Sequence, residues 1–167
     1  SVDAPTDAWQ RTWDINVMAH VYAMRHALPG MLARGSGYIV STASAAGLLT
    51  NLGAAPYAVT KHAAVALAEW VSITYGDRGI GVSCVCPQFV DTPMLGAFEG
   101  HSDAMQRWVR SLAIDADAVA AEVIDAVAED RFLVLPHAEV ADYVTIRATD
   151  HERWLAGMRR LQADLGG

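Results

Sequence analysis

The alternation of apolar and polar positions divides this chain into helices and strands before any chemistry is considered. Between residues 7 and 28, Trp9, Trp13, Val17, Val21 and Met24 recur every three or four positions. Side chains spaced in this way share one helical face, so an amphipathic helix is predicted there. Thr6 is its expected N-cap, followed by Asp7, and Pro29-Gly30 its expected stop. The glycines between Gly30 and Gly37 follow a helix and precede a strand. That is the reverse of the context a pyrophosphate site needs, so they read as a helix-ending loop.

Residues 38–42 (Tyr38-Ile39-Val40-Ser41-Thr42) are apolar and β-branched enough for a short strand. Residues 56–76 predict a long helix opening at Pro56-Tyr57. Its alanines (Ala58, Ala63, Ala64, Ala66 and Ala68) make it slim enough for close approach by a neighbouring helix, while Trp70 and Ile73 extend its apolar surface. Gly76-Asp77-Arg78-Gly79 is a turn, and Ile80 to Cys86 a buried strand ended by Pro87. Thr92 to Phe98 reads as an apolar loop with hinge-like glycines, suited to a lid over an apolar substrate. Asp115 or Asp117 starts another helix, with Val119, Val123 and Val127 on one face, and Phe132 to Leu135 is a strand. Beyond Ala138 the pattern is helical again, with Asp150 as the cap of the last helix.

Composition narrows the picture. The 167 residues suffice for one domain over 1–167, and the alanine-rich, apolar make-up is typical of packed α/β proteins rather than disorder. A net charge of −7 argues against a nucleic-acid surface. No run approaches the ~20 apolar residues of a membrane span, so no membrane partner is expected. Cys84 and Cys86 face the same side of a strand and lack the spacing of a redox pair, which reads as buried free thiols in a reducing cytoplasm. The six histidines have no metal-ligand spacing, and no metal is expected.

The candidate chemistry sits at Ser44, Tyr57 and Lys61. Tyr57 and Lys61 are four positions apart in a predicted helix and therefore share a face. A nearby ammonium favours phenolate over phenol, whose pKa in water starts near ~10. A phenol so tuned can give a proton to a carbonyl oxygen or take one from an alcohol. Ser44, at the end of a predicted strand, could hold that same oxygen.

Ser44-Ala45-Ala46-Gly47, Tyr57-x-x-x-Lys61, Asn16 in Trp13-Asp14-Ile15-Asn16-Val17, and Cys86-Pro87-Gln88-Phe89-Val90-Asp91-Thr92-Pro93-Met94 stand in an order and spacing that resemble the short-chain dehydrogenase/reductase family. The resemblance implies a Rossmann-type, doubly wound parallel α/β sheet, represented here by its C-terminal strands and helices. It implies an NAD- or NADP-dependent oxidoreductase interconverting an alcohol and a ketone or aldehyde. Tyr57 would be the general acid or base. Lys61 would tune it and bond the nicotinamide ribose, Ser44 would orient the substrate oxygen, and Asn16 would hold a water beside Lys61. Pro87, Val90 and Thr92, with Tyr57 and Lys61, would line the cofactor, and Ser44, Ala46, Gln88 and Met94 the substrate. Leu48 and Phe98 add to a pocket for a small apolar carbonyl or alcohol. The resemblance also implies a homodimer or homotetramer formed by the helices around residues 7–28 and 56–76.

Two departures stand out. Gln88 occupies a position where the family usually has glycine. The family's first half, with its glycine-rich phosphate loop and the residue that reads the adenosine ribose, has no counterpart in these residues, and NAD versus NADP is decided in that half. The alternative reading is a truncated, catalytically incompetent remnant or half-enzyme acting through oligomerisation. A related epimerase or dehydratase ranks well below the oxidoreductase.

Overall fold

A computed structural model describes residues 1–165, apart from the side chain of Ala97. The first helical stretch runs from Thr6 to Arg34, as α1 (Thr6–Trp13), a π-helical turn (Asp14–Met18) and α2 (Ala19–Arg34). Two expectations are corrected here. Thr6 is already helical, with Pro5 in the cap position and no side-chain cap. Pro29 and Gly30 lie inside α2, which ends instead at Gly35, a left-handed residue with φ 72°. Proline lacks a donor and crowds the preceding turn. Pro29 and Gly30 are both exposed, so the lost hydrogen bond faces water and the helix continues. The π turn also rotates the predicted stripe. Val17 and Met24 are buried, but Trp13 is 39% exposed.

β1 (Gly37–Thr42) leads through a short 3-10 turn (Ala45–Gly47) into α3 (Ala55–Tyr75). A second 3-10 turn (Gly76–Arg78) precedes β2 (Ile80–Val85), and a third (Pro93–Phe98) precedes α4 (Asp103–Leu112) and α5 (Ala116–Ala128). Then come β3 (Leu133–Val134), α6 (Glu139–Thr149) and α7 (His151–Asp164). The predicted loop at Thr92–Phe98 is thus 3-10 helical from Pro93. Asp115 caps α5 and Asp150 caps α7, each accepting a backbone N–H of its helix.

The strands form a parallel sheet in the order β1-β2-β3, with Gly37 opposite Ile80 and Thr42 opposite Val85. Alternate residues of β2 face opposite layers. Ile80, Val82 and Cys84 pack with Met24 of α2 and Ala64, Ala68 and Val71 of α3. Val85 turns the other way, joining Val134, Ala126 and the partly buried Val119 and Val123 of α5. Each fully buried valine or isoleucine contributes roughly 1.5–3 kcal/mol relative to exposure. A third cluster joins Met105 and Val109 of α4 to Leu165, with Leu95, Phe98 and Trp108 around them. Both faces of β2 are therefore covered, whereas on β1 Val40, on the face opposite buried Ser41, is 45% exposed.

Candidate active site

Parallel strands leave a crevice beyond their carboxyl ends, and that is where open α/β sheets bind ligands. Here the ladder continues past the strands: Ala43 N–H donates to the Val85 carbonyl at 2.9 Å, and Ala45 N–H to the Pro87 carbonyl at 2.8 Å. This extension brings Ser44 beside Pro87, and the Ser44 hydroxyl reaches the Pro87 carbonyl oxygen at 3.4 Å. Ser44 Oγ also accepts the Ala46 N–H at 3.1 Å, capping the 3-10 turn that begins with Ala45. Ala45, Ala46 and Gly47 are all buried. A Cβ on Gly47 would strike the Lys61 carbonyl oxygen, so glycine sets how closely α3 approaches the serine turn.

α3 then presents its first turns to this turn. Lys61 is buried, and its Nζ donates to the Thr42 carbonyl at 3.1 Å, two residues before Ser44. The same ammonium lies 5.6 Å from the Tyr57 ring centroid. Burial lowers the Lys61 pKa from its usual value, and the Cys86 and Cys84 thiols below it act weakly the other way. Tyr57 is half-buried, and among the described residues its hydroxyl has no hydrogen-bond partner. Beneath them the Cys84 and Cys86 sulfurs are 3.8 Å apart, both fully buried. The hydrogen bond shared with Cys86, together with burial, raises the Cys84 pKa far above the thiol range, so this residue stays protonated.

Asn16 lies in the π-helical turn, a distortion frequent at functional sites. Its Nδ2 donates to Thr60 Oγ1 at 3.0 Å. Thr60 in turn reaches the carbonyls of Pro56 and Tyr57 at 2.8 and 3.1 Å. The asparagine thus contacts the residue next to Lys61 and braces the first turn of α3.

Sequence reasoning missed several features. His137, buried at 4% exposure, accepts the Gln88 N–H and donates to the Leu112 carbonyl. Its position after β3 carried no motif. Helix α4 was also missed, although Ser102 followed by Asp103 and the i,i+4 pair Met105 and Val109 is a readable start signal. The other expected site residues spread out. Val90 pairs with Ile114 in an isolated parallel bridge, and Thr92 Oγ1 bonds the Val90 carbonyl at 3.3 Å. Gln88 keeps a buried Oε1 without a partner. Met94 is 70% exposed while Leu95 and Phe98 turn inward, so the 3-10 segment is packed down rather than hinged free. A cavity of about 460 Å³ lies between this segment and α4, lined by Asp91, Glu99, Arg110 and Asp115 but by none of Ser44, Tyr57 and Lys61.

The nicotinamide end of a dinucleotide fits what is present. Lys61 spends one of its three protons on Thr42, and the Tyr57 hydroxyl beside it is unspent. A pyrophosphate cradle is not formed by the glycine cluster, because Gly30 is helical, Gly35 ends a helix, and Gly37 packs on Met31 within β1. No described helix is long and apolar enough to cross a membrane.

Comparison with known proteins agrees with this geometry. A family profile described as short chain dehydrogenase matches residues 2–102. The chain is 37% identical over 93 residues to cyclohexanol dehydrogenase of an Acinetobacter strain, covering 56% of this chain and 37% of that protein. It is 31% identical over 153 residues to 1-deoxy-11-beta-hydroxypentalenate dehydrogenase of Streptomyces avermitilis, covering 91% of this chain and 55% of the relative. A short chain dehydrogenase/reductase from Burkholderia phymatum, solved with NAD, superposes with a TM-score of 0.77 at 29% identity, over 90% of this chain and 60% of that one. One from Sphingobium yanoikuyae, solved with NADPH, shares the fold with a TM-score of 0.73 at 21% identity, over 100% of this chain and 60% of its own. The chain therefore spans about half the length of such relatives. The α/β sheet, the serine turn beside Pro87, the Tyr57–Lys61 pair and the family match over residues 2–102 lead to one conclusion: this chain belongs to the short chain dehydrogenase family.

Proposed function

We propose that the protein is an NAD(P)-dependent oxidoreductase interconverting an alcohol and a ketone or aldehyde. The observation that carries this is a tyrosine with an unspent hydroxyl whose ring stands 5.6 Å from a buried ammonium, at the carboxyl end of a parallel sheet. Tyr57 gives its proton to the carbonyl oxygen in reduction and takes one from the alcohol in oxidation. Lys61, held by Thr42, places a fixed positive charge where the phenolate develops. Ser44 presents its hydroxyl to the substrate oxygen, and Asn16 keeps the first turn of α3 in place through Thr60. The nicotinamide, when bound, supplies or accepts the hydride. Lys61 and Tyr57 would hold its ribose, with Pro87, Val90 and Thr92 along its ring.

The substrate is small and apolar in this reading, because buried Ala46 and half-buried Leu48 adjoin Ser44. Cyclohexanol dehydrogenase, with an apolar cyclic substrate in its name, supports that class. A cytoplasmic location suits the two buried thiols. Exposed Ile15 and Tyr22 on the first helical stretch, and Trp70 and Ile73 on α3, support a homo-oligomer built from these helices. The test is reduction of cyclohexanone with NADH and with NADPH, comparing wild type and Tyr57→Phe. Turnover in the wild type that vanishes in the variant, with thermal stability retained, supports the proposal. Equal rates in the two proteins reject it.

A further inference from the structure

The peptide group between Pro87 and Gln88 is held at both ends. Its carbonyl oxygen accepts from the Ser44 hydroxyl at 3.4 Å and from Ala45 N–H at 2.8 Å. Its N–H, on Gln88, points the other way and donates to His137 Nδ1 at 3.2 Å. The opposite ring nitrogen of His137, Nε2, lies 3.0 Å from the Leu112 carbonyl at the end of α4. A carbonyl can only accept, so Nε2 carries the proton and Nδ1 the lone pair. The ring is neutral, of one tautomer, and buried at 4% exposure. A hydrogen bond to an amide N–H polarises the carbonyl of the same peptide, so the His137 contact strengthens the acceptor that Ser44 faces.

We infer that His137 is a positioning residue for the reaction, setting the orientation of the Pro87–Gln88 peptide and, through it, the rotor of the Ser44 hydroxyl. The inference rests on the proposed function, in which Ser44 presents that hydroxyl to the substrate oxygen. The imidazole also ties this peptide to the last turn of α4, whose Met105 and Val109 are packed into the cluster holding the 93–98 segment. A shift of that helix is thereby transmitted to the serine through three hydrogen bonds and one peptide plane. The chain contains five other histidines. Of these, His20, His62 and His151 also make ring hydrogen bonds, but none reaches the turn after β2.

Three variants separate positioning from packing. His137→Asn keeps an acceptor near Nδ1, His137→Gln keeps a donor near Nε2, and His137→Phe removes both while filling the space. The inference expects His137→Gln and His137→Phe to lose about tenfold in kcat with the cofactor KM unchanged, and His137→Asn to recover most of it. The Gln88 amide should exchange its hydrogen slowly in wild type and in His137→Asn, and about tenfold faster in the other two. Wild-type kcat in His137→Gln overturns the inference. Losses of equal size in all three variants that follow their melting temperatures overturn it as well, since packing alone then accounts for them. If the wild type reduces no carbonyl, the proposed function fails first. The exchange comparison still decides whether His137 holds the peptide, and a Gln88 amide equally fast in wild type and His137→Gln rejects that hold.

Discussion

Asn16 Nδ2 and Thr60 Oγ1 are 3.0 Å apart, joining the π-helical turn to the second turn of the helix that carries Tyr57 and Lys61. Thr60 is fully buried and passes the contact on to the Pro56 and Tyr57 carbonyls. Thr60→Val keeps the shape but removes both the acceptor for Asn16 and the donor to the backbone. The expected result is a loss of about 1–3 kcal/mol in urea unfolding, with reduced turnover, because a half-buried amide is left unpaired. An unchanged unfolding midpoint contradicts this bracing role.

Lys61→Met exchanges a buried ammonium for an apolar chain of similar length. The lysine lies at 9% exposure and is desolvated, so the fold should tolerate the change or gain from it. Carbonyl reduction should fall by about 10²-fold or more, since a preorganised charge is lost. Melting temperature and steady-state rates on the same sample check both halves of the prediction.

Gly47→Ala drives a methyl into the Lys61 carbonyl and the Val65 side chain. Helix α3 must then move away from the serine turn. Overpacking typically costs about 1–3 kcal/mol, and a lowered melting temperature should accompany a drop in kcat. Loss of stability without loss of kcat would show that the spacing of the two elements matters less than argued.

His20 makes stability depend on pH. Burial first, and the Lys61 charge second, lower its pKa from the usual 6.5. Between the folded value and 6.5 the unfolded chain binds more protons, so stability rises with pH there. It is greatest above 6.5 and declines as acid is added, until the folded-state pKa is passed. Denaturant titrations across this range should show the slope in wild type and a smaller one in His20→Gln.

Ile73 is 85% exposed and Trp70 is 56% exposed on α3. If these helices form the subunit contact, Ile73→Glu should halve the assembly mass measured by light scattering, because a charge cannot be desolvated there cheaply. An unaltered mass would place the contact elsewhere.

Local signals in the sequence carried much of this. The long helix around Tyr57, the β2 run from Ile80 and the Asp115 and Asp150 caps all depend on neighbours within a few residues, and each has its place in the structure. Two departures share a cause in tertiary placement. Pro29 was a plausible stop, yet its exposed position inside α2 made the break unnecessary. Met94 belonged to an apolar segment, but only packing showed that Leu95 and Phe98, rather than Met94, face inward. The start of α4 is different, since its signal is local: Ser102 Oγ accepts the Met105 N–H.

The sequence by itself determined that Tyr57 and Lys61 share a helical face and that Ser44 follows a strand, because helix and strand periods are properties of adjacent residues. Tertiary structure decided that the serine hydroxyl meets the Pro87 carbonyl, that Asn16 reaches Thr60 and that His137 holds the Gln88 N–H. Those contacts join positions more than forty residues apart. They exist only once parallel register and helix packing have closed the intervening chain, and no local pattern encodes that closure.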